Sequence, residues 1–383
     1  MRGKWWISGA VLLLVGLAGL AWTQREWLQG WWLTRGLANA SEANRTVWIE
    51  RLAEMGKPAI RPLVGLLTQE EPRVHDNALA AIDHLARLWT ASAPSTGLLA
   101  HELAQGYAQV PAVVQPKVLA CLARWCASER LSDELHAAAV RLLRATTTST
   151  DPAILGAGLD LAIVLCRHGK CSEVCQLASV LARASLQSTS QAVRLRAVQL
   201  CLQPGIELLE LVAGLLRDES VEVRRAAILA VGPAEQIVRE DGLLIGLHDP
   251  DPEVRRLTEA ALRSRGLRPE HLELGRLISH PQPRIRLQVL QHIAQVLDNH
   301  EMTTETDIDP GVWLRRLSHD SSPAVRAAAL RLMSQQSLID LHDRIDQMAH
   351  GDPSPTVCQL AQFYLNSRRG GREPQPDIRS GLR

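Results

Sequence analysis

The chain predicts an all-α fold: an α-solenoid of about nine stacked helical hairpins, preceded by one transmembrane helix. Three observations carry that expectation. The stretch from Leu216 to Gly232, LRDESVEVRRAAILAVG, has close relatives along the rest of the chain. Counted from Val223 as zero, small or apolar residues fall at Ala227, Ala230 and Val231, one stripe of a 3.6-residue period. The same frame restarts at Val193, Val254, Ile285, Val325 and Val357, and more loosely at Val74, Val118 and Ile154. A hairpin of this size cannot bury its stripe alone, so neighbours must stack. Finally, Trp5 to Trp22, WWISGAVLLLVGLAGLAW, contains no charged residue.

That first segment would span about 27 Å as a helix at about 1.5 Å per residue, close to the hydrocarbon thickness of a thin bilayer. Trp5, Trp6 and Trp22 flank it, with Trp27 just beyond, as interfacial tryptophans do. The rival is a cleaved secretory signal, since Gly19-Leu20-Ala21 offers small residues for cleavage. Arg2, Lys4 and the free amine precede the span, an asymmetry that favours the bulk of the chain on the exported side, periplasmic or extracytoplasmic. The expected organisation is an anchor or uncleaved signal over 1–22 and a juxtamembrane or capping helix over 23–45. A solenoid over 46–367 and a disordered basic tail over 368–383 complete it.

Charge is balanced, 42 basic against 41 acidic residues, so no global field calls for nucleic acid. Within the array, Gly56-Lys57-Pro58 and Glu71-Pro72 break one helix and start the next, with proline in a first turn where its missing N–H costs nothing. Hairpins follow as 97–107 with 112–127, 132–146 with 152–167, 172–187 with 190–203, and 205–217 with 221–232. Four more are 236–248 with 252–266, 268–279 with 282–296, 310–318 with 322–336, and 337–349 with 354–367. The insertion Leu297–Asp309 carries five acids and reads as a solvated loop without the glycine a calcium loop needs.

The segments DESVEVRRAA at 218, DPDPEVRRLTEAAL at 249, HPQPRIRLQVL at 280, the run from Asp320 to Met333 with its core PAVRAAALRLM, and DPSPTVCQLAQFYL at 352 resemble the HEAT repeats. The short phycobilin lyase-type HEAT-like variety is the nearest in kind. The resemblance covers about the last half of the chain, and earlier repeats keep only the apolar frame. It implies a right-handed solenoid whose second helices line a concave face, commonly a protein-binding surface, and it implies no chemistry.

The recurring polar residues have physical roles without any family. Arg194, Arg224, Arg255, Arg286 and Arg326 occupy one site in successive repeats, and stacking places them in a column interleaved with Asp218, Asp249, Asp320 and Asp352. Each Asp stands in the turn, where its carboxylate can accept from free amides at the next helix start. A structural ladder is the expectation; a basic track for an anionic ligand is the alternative. His248, His280, His319 and His350 recur near first-helix ends, where a donor suits exposed carbonyls. Helices about 8–10 Å apart argue against a shared metal ion. Cys121, Cys126 and Cys201 fall at core positions. Cys166, His168, Cys171 and Cys175 cluster across a turn, open to packing, a disulfide through Cys171, or metal.

No nucleophile elbow, phosphate loop, zinc-helix motif or dinucleotide fingerprint occurs in the sequence, so no catalytic, cofactor-binding or metal residue is assigned. The functional expectation is a membrane-tethered scaffold, not an enzyme, that holds an unknown protein partner and no nucleic acid. An enzyme built on such a solenoid, lyase-like or glycosylase-like, and a secreted repeat protein are the alternatives.

Overall fold

A computed structural model describes residues 25–89, 93–128, 130–169, 172–298, 310–335 and 341–369. Every regular element among them is helical. The nine expected hairpins are present, from Ile60–Gly65 with Pro72–Leu88 to His342–Gly351 with Pro355–Arg369. Their starts follow local chemistry. Proline occupies the first turn of the helices beginning at Pro72, Pro94, Pro152, Pro252 and Pro269. Side-chain caps hold others: Ser132 accepts from the Leu135 amide at 3.2 Å, and Asp251 accepts from the Val254 amide at 2.9 Å.

Burial follows the stripe. Val223, Ala227, Ala230 and Val231 are buried together, as are Val193, Ala197, Leu200 and Cys201 in the preceding repeat. Val325, Ala329 and Met333 repeat the pattern at 1 % exposure or less. The small fourth position has a cause in packing. In the hairpin ending at Ser264, Thr258 lies against Gly246 so closely that a Cβ there would sit 2.3 Å from the threonine Oγ1. In the hairpin ending at Arg167 the roles reverse, and Gly158 is the small residue, facing Thr146. The first and second helices of a hairpin therefore approach on atoms no larger than a methyl or hydroxyl.

The chain divides into two compact units, one through Val231 and one from Gly232. Composition shows no break there. The physical cause is local: Gly232-Pro233 end a helix, and the chain continues as turns before Glu240–Leu244 resumes. Arg265, its side chain 2 % exposed, holds that irregular segment by donating to the Gly232 and Val238 carbonyls, both at 2.6 Å.

In the first unit the second helices Pro72–Leu88, Gln115–Cys126, Pro152–Arg167, Gln191–Cys201 and Val221–Val231 pack side by side in sequence order, and the first helices form the facing layer. In the second unit Pro283–Asp298, Pro323–Gln335 and Pro355–Arg369 pack in the same succession. Leu290, Leu314, Leu330, Ile345 and Ala361 contribute to one continuous core there.

Three boundaries shift from the sequence reading. Residue 45 is not the edge of a capping segment but lies inside helix Glu42–Met55, because Asn39–Ser41 already make the turn after Arg25–Ala38. These two helices form a further hairpin before the nine. Buried Asn77 ties it to the array, donating to the Leu37 carbonyl at 3.0 Å and the Ala40 carbonyl at 3.1 Å. The last helix runs to Arg369, past the expected tail boundary at 367, and Pro283–Asp298 extends into the start of the expected loop at 297.

No helix among the described residues is long and apolar enough to cross a membrane. The expected anchor over 1–22, with Trp5, Trp6 and Trp22, lies outside the described residues, as do 299–309 and 370–383. Trp27 falls in the helix Arg25–Ala38, its side chain outside the description. Along that helix Leu33, Thr34 and Leu37 turn inward, whereas Leu28, Trp31 and Trp32 are exposed. Trp32 meets Trp48 edge-on at 5.4 Å, and Arg35 covers Trp31 at 5.2 Å.

Candidate interaction surfaces

The arginine column has one repeating geometry. Each guanidinium first uses Nη1 to cap its own turn: Arg194 donates to the Ser188 and Thr189 carbonyls, Arg224 to Asp218 and Glu219, Arg286 to His280 and Pro281, and Arg326 to Asp320 and Ser321. In Arg194, Arg286 and Arg326 the Nε and Nη2 edge then meets a carboxylate of the following repeat, not the acid of its own turn. Arg194 takes Asp218 with both bonds at 2.8 Å. Arg286 takes Asp320 at 2.7 and 2.8 Å, and Arg326 takes Asp352 with both at 2.8 Å. These are fork-to-fork ion pairs, and both partners are buried: side-chain exposure is 6 % for Arg326 and 2 % for Asp352.

Each Asp also serves its own turn. Asp218 accepts from the Ser220 amide, Asp249 from Asp251, Asp320 from Ser322 and Asp352 from Ser354, all at 2.7–2.9 Å. Burial pushes the Asp352 carboxyl up, but Arg326 and the Ser354 amide outweigh it and hold the group below its ordinary value. At the end of the column Cys358 stands where arginine would, and its thiol reaches the Asp352 carbonyl at 3.1 Å, keeping the turn contact without the charge.

Arg255 departs from its siblings. It keeps the turn contacts, donating to Asp249 and Pro250 carbonyls at 2.7 and 3.0 Å, yet it is exposed. The following turn begins with His280, so no carboxylate stands where Asp218, Asp320 and Asp352 stand in their repeats.

Among the histidines, helix spacing proved a poor guide, because side chains reach across it: the His248 and His280 rings meet edge-on at 5.1 Å. His248 Nε2 lies 2.8 Å from the Arg276 carbonyl, His350 Nδ1 lies 2.9 Å from the carbonyl of Asp346 in its own helix, and His319 is exposed. Burial lowers the pKa of His248, only partly offset by the Arg276 carbonyl and reinforced by His280. Partial desolvation in the cleft it lines, and then the Arg344 and Arg315 charges, lower that of His319 although it is exposed. A histidine whose folded pKa lies below its unfolded value of 6.5 adds stability above that pH, and loses it as pH falls below 6.5. Acidification from about pH 7.5 to about pH 5 should therefore weaken the second unit in thermal melts. His248→Gln should flatten that dependence; an unchanged slope would count against the assignment.

Arg344 was not singled out by sequence, since no repeat position marks it. It lines a cleft with His319, Ser321 and Gln347 and donates to Ser318 Oγ and the Ser318 carbonyl, both at 2.8 Å. Burial lowers its pKa, with Arg315 and Arg326 adding to the effect against Asp352 and Asp343.

The cysteines at core positions are buried thiols. Burial raises Cys126 to about 12 and Cys201 to about 11; Cys166 is raised to about 11 by burial and then by Cys175. His168 of the turn cluster points its Nε2 at the Cys126 carbonyl. Cys171 lies outside the described residues, and among the described ones no group of three His, Cys, Asp or Glu could hold a metal ion. In the native protein Ellman's reagent should label half-buried Cys175 and Cys358 well before Cys121, Cys126, Cys166 and Cys201. Equal rates would show that the core around these thiols opens freely.

Comparison with known proteins adds one sequence match. Residues 199–228 fit the profile of the HEAT repeat associated with sister chromatid cohesion. No curated protein matches the chain. Among solved structures, an engineered protein is similar at 17 % identity and a TM-score of 0.40, covering 89 % of this chain and 94 % of its own. The Escherichia coli protein YibA is similar at 14 % and 0.41, covering 86 % and 98 %. A designed armadillo repeat protein is similar at 18 % and 0.30, covering 61 % and 98 %. The described helices follow one another as hairpins, and within them residues 199–228 are similar to a HEAT unit.

Proposed function

We propose that this chain is a scaffold that binds a protein partner along its second-helix layer and is tethered to a membrane through residues 5–22. The carrying observation is the side-by-side packing of five second helices from Pro72 to Val231. Their inward stripes are consumed by the core, so their outward faces form a row of fixed positions, with Gln199 and Leu229 among the exposed ones. The fixed hydrogen bonds of the arginine column keep successive repeats in register, which pre-orders such a surface and lowers the entropic cost of binding. The tether rests on the uncharged run, its flanking tryptophans and the leading Arg2 and Lys4, with the repeats on the exported side.

Photo-crosslinking tests the scaffold. A benzophenone amino acid at Gln199 or Leu229 should yield a discrete protein adduct in cells, whereas one at Val180, exposed on the first-helix layer, should not. Adducts from Val180 alone would overturn the assigned face. Fractionation tests the tether: a mature chain starting near Trp22 in the soluble fraction would exclude it, and resistance of the repeats to protease outside spheroplasts would reverse the orientation.

A further inference from the structure

Arg255 is anchored like its siblings but left without their acid. In the three fully described pairs, Nη1 fixes the guanidinium to its own turn, and the Nε/Nη2 edge closes on an Asp of the next turn at 2.7–2.8 Å. Arg255 has the same Nη1 contacts, so its edge is directed at the next turn, which opens with His280.

His280 replaces one half of what the Asp does and not the other. Its Nδ1 accepts from the Gln282 amide at 3.1 Å, the turn-capping bond that Asp218, Asp320 and Asp352 make through Oδ1. An Nδ1 that accepts carries no proton, so the ring's hydrogen is on Nε2. His280 can then offer Arg255 only a further donor. Among the described residues Arg255 has no ion pair, and it is exposed where Arg194, Arg286 and Arg326 are buried. With Nη1 anchored, the remaining Nε/Nη2 edge of Arg255 is a planar pair of N–H donors complementary to one carboxylate.

We propose that Arg255, with His280, is an open carboxylate-binding position, filled by an acidic side chain of the bound protein partner. The carboxylate site stands on the geometry alone; its occupant rests on the scaffold reading. A partner's Asp or Glu would complete from outside the pair that the chain completes internally elsewhere, and would fix the partner's position along the repeats.

The test follows the Arg255 Nε–H signal in the full-length protein by NMR, titrating sodium acetate, a hexaglutamate peptide and inorganic phosphate. His280→Asp should fill the fork as the other repeats do, raise the melting temperature and weaken carboxylate binding by about tenfold or more, the equivalent of one charge-assisted hydrogen bond. Arg255→Gln removes that signal and should abolish the shift the same probes cause at the neighbouring Gln282 amide. Saturation by hexaglutamate at lower carboxylate concentration than acetate supports a protein partner. Equal responses per carboxylate keep the site but reassign its occupant to a small free acid. Phosphate alone binding, no response to any probe, or the same response in wild type and His280→Asp would overturn the proposal, as would a lower melting temperature in His280→Asp. Failure of cross-linking at Gln199 and Leu229 would sink the scaffold and leave this titration intact.

Discussion

Arg326→Ala is expected to destabilise the second unit by about 3–5 kcal/mol, the cost of stripping the partner from a buried charge. Asp352, 2 % exposed in the pair, would lose both guanidinium bonds and keep the Ser354 amide on Oδ1, and the Asp320 and Ser321 carbonyls would lose their shared donor. Because repeats touch mainly their neighbours, amide exchange should rise first around 320–358 and leave the first unit protected. Arg255→Ala, at the same repeat position, should cost a small fraction of this. Sequence alone assigns the two arginines equal weight; exposure and the missing acid separate them. Equal losses would show that the turn carbonyls, not the ion pair, carry the stability.

Gly246→Ala should cost about 1–3 kcal/mol by overpacking. The new methyl would sit 2.3 Å from Thr258 Oγ1, and Thr258 is fully buried and itself bonded to the Val254 carbonyl at 2.8 Å, so it has little freedom to turn away. Thr258→Ala removes the obstructing hydroxyl. The double variant should melt above Gly246→Ala alone, a coupling that a double-mutant cycle measures directly. Additive losses would mean the helices separate instead of clashing at this pair.

Much of the fold was legible because a helix stripe is a local property. Val223, Ala227, Ala230 and Val231 announce their buried face by spacing, and proline at 72, 152 and 252 announces the next helix start. The candidate ligand position was less legible. The column of arginines could be counted, and His280 could be seen in place of Asp, but which acid each arginine meets depends on contacts 24 to 34 residues apart. Arg344 and Asn77 carry no repeating signal at all; their partners, Ser318 and the Leu37 and Ala40 carbonyls, come from other helices or turns.

The sequence by itself therefore determined the nine hairpins from Ile60 onward and their inward faces, but not the hairpin before them, since a 3.6-residue period and a proline act within a few residues of themselves. Only the tertiary structure decided that Arg194, Arg286 and Arg326 reach forward to the next repeat and that His248 touches His280. Those outcomes turn on the offset between neighbouring hairpins and on how far long side chains extend across it. Neither quantity is written in the periodicity of any one helix.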